Sequence, residues 1–262
     1  MHPRIRLLST AGTLALLMLL CLQMTAYARQ PGRLVCDNWP PYEFEDGDTV
    51  QGFSTDVVRA VYKDMGVPIE SITVLPWKRA LTDLEQGKAD ALFSANDSPI
   101  RRRFAHFPTE PLAVSPWIVW SRKGDVPPTM DALKGRRVGV VIGFNYTPEF
   151  WDFITLYCHV QQVATDESNF LKLAQNRIDF TVAELHNGMY LLNKLALTGI
   201  LPRPNLEIMR NGVYLIFNRK LVDQTFVKSF SDRLRIFKTG AAYRKLRLKY
   251  FGTEAQANEL VP

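Results

Sequence analysis

The sequence predicts an α/β protein of two similar lobes with one cleft between them. Three observations predict it. First, a pattern occurs twice: residues 81–94 read LTDLEQGKADALFS and residues 170–184 read FLKLAQNRIDFTVAE. Each is the end of an amphipathic helix, a stop residue (Gly87, Asn176), a basic residue, an aspartate (Asp90, Asp179) and a short apolar strand. Each strand releases a polar residue at its carboxyl end, Ser94 or Glu184. Second, strand and helix alternate through the first half, which indicates a mainly parallel sheet. Third, two extended stretches, 113–121 and 213–218, are placed to carry the chain from one lobe to the other and back. Ligands of open α/β sheets sit outside the carboxyl ends of the strands. Two such units therefore imply a cleft that closes on a small molecule.

The elements follow in order. Residues 1–28 read as a secretory signal peptide. Arg4 and Arg6 form its basic region, the apolar run 14–22 is too short for a membrane span, and Ala26-Tyr27-Ala28 is a small-x-small cleavage site. The mature chain then starts near Arg29; an uncleaved anchor is the alternative. Cys21 follows Leu20, where a lipoprotein signal would want a small residue, which argues against a lipid anchor. Residues 34–38 form a first strand. Trp39-Pro40-Pro41-Tyr42 must be a loop, because proline cannot continue a ladder. Asp46-Gly47-Asp48 is a turn. A helix follows with Ser54 as its N-cap, an apolar stripe of Val57, Val58, Val61 and Met65, and Gly66 as its stop. Residues 72–75 form the second strand, and Pro76-Trp77 opens a helix that ends at Gly87.

After the crossing at 113–121, residues 131–135 form a short helix and stop, and 137–142 a buried strand. Gly143-Phe144-Asn145-Tyr146 is the turn after it. Thr147-Pro148-Glu149 is a helix start: a cap, a proline at the first helical position and an acid in the first turn. The second repeat and another helix occupy 170–197. After the return crossing, helices over 222–237 and 240–250 belong again to the first lobe. The division is thus 29–118 and 216–262 for lobe 1, and 119–215 for lobe 2.

Composition limits the function classes. The 262 residues suffice for two modest lobes, and 47% apolar with 22% charged residues is ordinary for a folded soluble domain. The net charge of +6 falls to +4 when Arg4 and Arg6 leave with the signal. The basic run from Arg233 to Lys249 alternates with Leu234, Ile236, Phe237, Leu246 and Leu248, which fits two amphipathic helices with a solvated face and no nucleic-acid partner. Cys36 and Cys158 fall in different lobes, where a bridge would hinder opening, so both are expected as free thiols. His2, His106, His159 and His186 make no metal spacing, and there is no G-x-S-x-G elbow, P-loop or dinucleotide fingerprint. No cofactor, metal or catalytic residue is expected, and His186 is assigned no role.

Taken together, Trp39-x-x-Tyr42, Gly52-Phe53-x-x-Asp56, Pro76-Trp77, Gly87-x-x-Asp90-Ala91, Ser94-x-x-x-Ser98-x-x-Arg101, Leu133-Lys134-Gly135-x-x-Val138-Gly139-Val140-x-x-Gly143 and Tyr250-Phe251-Gly252 occur in an order that resembles the family 3 extracellular solute-binding proteins. The resemblance covers nearly the whole mature chain. It implies the type II periplasmic-binding-protein fold, two α/β lobes joined by two hinge strands, and a monomeric periplasmic protein that delivers a polar solute to the permease of an ABC importer.

An amino acid presents a carboxylate, an ammonium and a side chain, and a selective cleft answers each. Arginine is the natural carboxylate clamp because its planar fork donates two parallel hydrogen bonds. The resemblance places that arginine after Ser98 and before Phe107-Pro108, which selects Arg101; counting from Gly87 selects Arg102. It places the ammonium-binding acid at Glu184, where the family more often has Asp. It makes Trp39, Tyr42 and Trp77 the side-chain contacts, Ser94, Asn96 and Ser98 hydrogen-bonding groups of lobe 1, and Asn145 and Tyr146 with the backbone after Gly143 the contacts of lobe 2. Phe144-Asn145 replaces the small hydroxyl pair common in amino acid binders. Two other readings share the fold: an enzyme resembling cyclohexadienyl dehydratases, with Arg101 and Glu184 in acid catalysis, and a ligand-sensing partner of a membrane receptor.

Overall fold

The computed structural model describes residues 30–252; the signal segment expected at 1–28 lies outside them. Two half-sheets share one strand. In the first, β1 (Arg33–Cys36) runs parallel to β4 (Ser71–Val74) and β5 (Ala91–Ala95). In the second, β8 (Arg137–Val141) runs parallel to β9 (His159–Val163) and β10 (Phe180–Glu184), and β10 pairs antiparallel with β7 (Ala113–Arg122). The strand in common is β11 (Ile200–Asn218). It pairs with β7 from Ile200 to Val213, then with β5 from Tyr214 onward. A short β6 (Ala105–His106) also pairs with β11, and β2 (Phe44–Asp46) and β3 (Thr49–Gln51) form a separate hairpin.

Seven α-helices lie among the described residues: α1 (Phe53–Asp64), α2 (Trp77–Glu85), α3 (Pro148–Tyr157), α4 (Asp166–Ala174), α5 (Leu185–Lys194), α6 (Gln224–Thr239) and α7 (Ala241–Phe251). The two C-terminal helices pack on α1 of the first half. The Tyr62 ring meets Phe230 at 5.9 Å and Phe53 meets Tyr243 at 5.5 Å. In the second half Trp120, Phe170, Leu173, Ile178 and Ala183 form a core between α4 and the sheet.

Two local readings change and a third holds. The N-cap of α1 is Gly52, not Ser54. Its φ is +130°, and a Cβ there would sit 2.2 Å from the Tyr42 carbonyl oxygen, so only glycine fits. The Ser54 hydroxyl is turned to Ser94 instead, at 2.9 Å. The return crossing is the last third of a 19-residue strand. Its first part carries Pro202 and Pro204, yet β11 is an edge strand there, and an edge tolerates residues without an N–H. Thr147 does cap α3, accepting from the Phe150 N–H, with Pro148 at the first helical position.

The repeated aspartate has the same task in both halves. Asp90 accepts from the backbone N–H, Nε and Nη2 of Arg33 at 2.9, 3.2 and 2.5 Å. Asp179 accepts from the same three groups of Arg137 at 2.9, 3.1 and 2.7 Å. In return the N–H groups of Asp90 and Asp179 donate to the carbonyls of Arg33 and Arg137, both at 2.8 Å. Each fork ties the start of the half's leading strand to the residues entering β5 or β10. The Arg137 hydrogen bonds hold the Asp179 carboxyl well below the usual carboxylate range. Asp90→Asn and Asp179→Asn are each expected to cost about 2 kcal/mol through the lost charge-assisted pair. At this size that lowers Tm by roughly 4–8 °C. The forks lie in different halves, so thermal melts of the double variant should show nearly additive losses.

Candidate functional site

The carboxyl ends of β1, β5, β8, β9 and β10 all face the seam between the halves. Asp37 follows β1, Asn96 follows β5, Gly143 and Phe144 follow β8, and Asp166 follows β9. Several hydrogen bonds cross the seam. Trp39 Nε1–H donates to Asp166 Oδ2 at 3.2 Å and Trp77 Nε1–H to the Gly143 carbonyl at 3.0 Å. Arg101 Nη2–H reaches the same carbonyl at 3.4 Å, Asn145 Nδ2–H donates to Asp97 O at 3.3 Å and Asn187 Nδ2–H to Pro40 O at 2.6 Å. Gly143 has φ +80° and lies against Trp77, so its carbonyl is free to serve both donors.

Aromatic rings fill much of the seam. Trp39 stacks on Tyr42 at 4.5 Å and on Trp117 of the other half at 5.7 Å. The Phe144 ring stands edge-on to Trp77 at 6.1 Å and to Trp117 at 5.6 Å. Trp39, Trp77, Ser94, Asn96, Arg101 and Asn145 thus surround a space of only about 10 Å³, at most one water molecule. A second cavity of about 460 Å³ adjoins it, sharing Asp37, Trp39, Trp77 and Phe144 and continuing to Asp166 and Asn187. That is the size of a small-ligand pocket. Another cavity, about 590 Å³, lies on lobe 1 between the β2–β3 hairpin, α1 and the amino end of β4. It is away from the strand ends, and we do not assign it a site.

The three consecutive arginines separate in space. Arg101, in a 3₁₀ turn, is only 5% exposed. Its Nη1–H donates to Asn96 O at 2.7 Å, and its guanidinium lies 5.0 Å from the centre of the Trp77 ring. Arg102 is exposed and pairs with Asp97. Ser98 accepts from the Arg101 N–H and so positions the turn without lining either cavity.

Four expected contacts are turned into the protein. Tyr42 is fully buried under Trp39, its hydroxyl 3.5 Å from His186 Nδ1. Tyr146 is a core residue of the second half, its hydroxyl accepting from the Val141 N–H at 3.1 Å. Ser98 is the third. Glu184 is the fourth: it is fully buried as the N-cap of α5. One carboxylate oxygen accepts from Ser115, from the His186 N–H and from His186 Nδ1; the other accepts from the Asn187 N–H at 2.8 Å. Burial would raise this carboxyl, but His186, Ser115 and Asn187 hold it below its usual value. Ser115 and Glu184 share the same His186 nitrogen, and Nε2 has no partner. The relay of a hydrolytic triad, which uses the two ring nitrogens separately, is not formed. Ser94, with φ +51°, lines the seam while its hydroxyl donates to Glu43 Oε2 at 2.7 Å.

Asp37, Glu43, Trp117, Phe144, Asp166 and Asn187 were not among the expected contacts. Asp37 is the residue after the first strand and could have been read from that position. Asp166 could not, because β9, HVQQV, has no apolar run to mark it. Among the described residues no cluster of three or more His, Cys, Asp or Glu is placed to hold a metal ion, and no helix is long and apolar enough to cross a membrane. Cys36 and Cys158 are free, the first buried and the second half-buried.

With this geometry in hand, the chain is placed among known proteins. It matches the bacterial extracellular solute-binding proteins, family 3, over residues 34–253, and belongs to that family. It is 25% identical over 228 residues to an L-cystine-binding protein of Escherichia coli K12, covering 82% of this chain and 80% of that protein. It is 27% identical over 221 residues to an arginine-binding extracellular protein of Bacillus subtilis, covering 83% and 84%. An ancestral arginine-binding protein bound to arginine superimposes with a TM-score of 0.75 at 21% identity, covering 86% of this chain and all of the other. The fold is the two-lobed one of periplasmic binding proteins.

The seam concentrates carboxylates. Burial raises Asp37 to about 7, although Arg101 opposes the shift. Burial raises Asp166 to about 8, opposed by the Trp39 N–H and assisted by Asp37 and Glu184. Burial and Asp37 raise Glu43 well above its usual value. Such acids favour the folded, closed arrangement when protonated, so they withdraw stability as pH rises from their usual range to the raised values. The Tm measured without added solute should therefore be higher at pH 5.5 than at pH 8.5. Asp37→Asn and Asp166→Asn should each flatten that slope; an unchanged slope in both would show that these carboxyls are solvated.

Proposed function

We propose that this chain is a periplasmic solute-binding protein, exported through a cleaved signal peptide, that captures an amino acid between its lobes and presents it to the permease of an ABC importer. The observation that carries this reading is Arg101. It is a buried guanidinium at the seam, backed by the Trp77 face, with one N–H already directed at the carbonyl of Gly143 on the opposite lobe. An α-carboxylate entering there takes the remaining donors of the fork and joins both lobes. Asn96, Asn145 and Ser94 surround the same space, and Trp39 and Trp77 supply apolar faces. The half-buried Asp37, opposite Arg101, takes the α-ammonium. Glu184 acts behind it by fixing α5 and its N-terminal Asn187. The names of the relatives, binding proteins for cystine and arginine, support the amino acid class.

Closure turns on the place where β11 passes from β7 to β5, between Val213 and Tyr214, with Ala113 as its neighbour on β7. This lies a few residues before the lobe limits of 118 and 215 read from the sequence. The protein works as a monomer and changes no bond in its solute. Arg101→Ala loses the bond to Asn96 O and the contact with the Trp77 ring, and is expected to leave the fold intact because neither holds two strands together. It should weaken amino acid binding roughly 100-fold, about the loss of a two-pronged charge-assisted pair. Calorimetric titration of unfolded and refolded protein measures this; undiminished binding in a folded variant would overturn the clamp.

A further inference from the structure

Two residues that line the 460 Å³ cavity each carry a buried acceptor that no group of the protein satisfies. Asp166 is 6% exposed; Oδ2 takes the Trp39 N–H, and Oδ1 has no hydrogen-bond partner. Asn187 is 1% exposed; Nδ2 donates to Pro40, and Oδ1 likewise has no partner. A buried acceptor left in this condition costs about 1–3 kcal/mol, and more when charged. Both belong to the second lobe, Asp166 at the start of α4 and Asn187 in the first turn of α5. What they lack is a donor, and Asp166 also lacks a positive charge.

The remaining walls have the same preference. Asp37 and Glu167 line the cavity, and its one lysine, Lys194, is 2.8 Å from Glu167. Trp39 and Trp77 line it as well. Because this cavity shares Asp37, Trp39, Trp77 and Phe144 with the space around Arg101, a chain anchored at Arg101 by its carboxylate leads its far end toward Asp166.

We propose that the cavity is a subsite for a cationic group, an ammonium or guanidinium received by Asp166 and Asn187, and that the solutes of this protein are basic amino acids. The proposal rests on the reading of Arg101 as the carboxylate clamp. A cationic far end draws Asp166 into its charged form and pairs with it, which a neutral far end cannot do. A zwitterionic far end, such as that of cystine, brings a second carboxylate among Asp37, Asp166 and Glu167, where like charges repel.

The test is calorimetric titration of the refolded protein and of Asp166→Asn with arginine, lysine, citrulline, cystine and putrescine. Citrulline keeps the shape of arginine without its charge. The expected result is at least tenfold tighter binding of arginine or lysine than of citrulline or cystine, with that preference lost in Asp166→Asn. The asparagine retains an acceptor for Trp39 and cannot ionise, so the variant should fold, which its melting curve checks. Equal affinity for arginine and citrulline, or an unchanged preference in the folded variant, would overturn the cation subsite and leave the amino acid reading standing. Binding of putrescine but of no amino acid would overturn the carboxylate clamp and leave the cation subsite standing.

Discussion

The placement of the site depends on one ion pair made twice. Arg33 and Asp90 in the first lobe, and Arg137 and Asp179 in the second, lock the beginning of a leading strand to the entry of a later one through matching three-donor forks. A strand slipped by one residue turns every side chain to the opposite face. The fork forbids that slip, because the backbone N–H of the arginine and its guanidinium must meet the same carboxylate. With the entry fixed, Ser94 and Glu184 are delivered to the seam ends of β5 and β10 and the loops after them to the seam.

Much of this was legible in the sequence because it is a matter of register. The helix stop, the aspartate and the short apolar strand each carry a local signature, and the spacing between them shows which residue emerges at the strand end. Of the three arginines, the resemblance picked Arg101 by its place after Ser98 and before Phe107-Pro108, and that is the one the structure buries while Arg102 is exposed. What the sequence concealed follows from weak local signals. The hairpin β2–β3 is three residues a side and half exposed. Strand β9 is polar because the far edge of the second half-sheet is partly solvated. The first part of β11 reads as a loop because of its prolines, which only an edge strand accepts.

The harder distinction was between reaching the seam and facing the solute. Ser94 and Glu184 hold equivalent positions, and both are spent on the protein: Ser94 on Glu43, Glu184 on the end of α5. A carboxylate at the first turn of a helix is drawn to the free N–H groups there, and for a glutamate with a histidine two residues on, that attraction is satisfied locally. Tyr146 gave the same kind of misdirection. Its sequence position after Gly143 and Asn145 suggests a loop contact, but the turn sends the ring beneath Phe144 and Trp117. Position along the chain can be read from register; the direction of a side chain depends on neighbours that are distant in sequence.

Charge at the seam gives closure its logic. Asp37 belongs to one lobe and Asp166 to the other, and each raises the other's proton affinity or is raised by the burial that contact brings. Bringing the lobes together thus removes two carboxylates from water while Arg101 is the cation lining the smaller space between them. The aromatic stack of Trp39 on Trp117 and the edge contacts of Phe144 favour the same closure through apolar burial. These contributions oppose one another. A solute shifts an equilibrium of open and closed arrangements only by binding one better than the other. On the reading proposed above, one that carries an anion for Arg101 and a cation for Asp166 does so, because each of its charged ends is fully answered only when both lobes reach it.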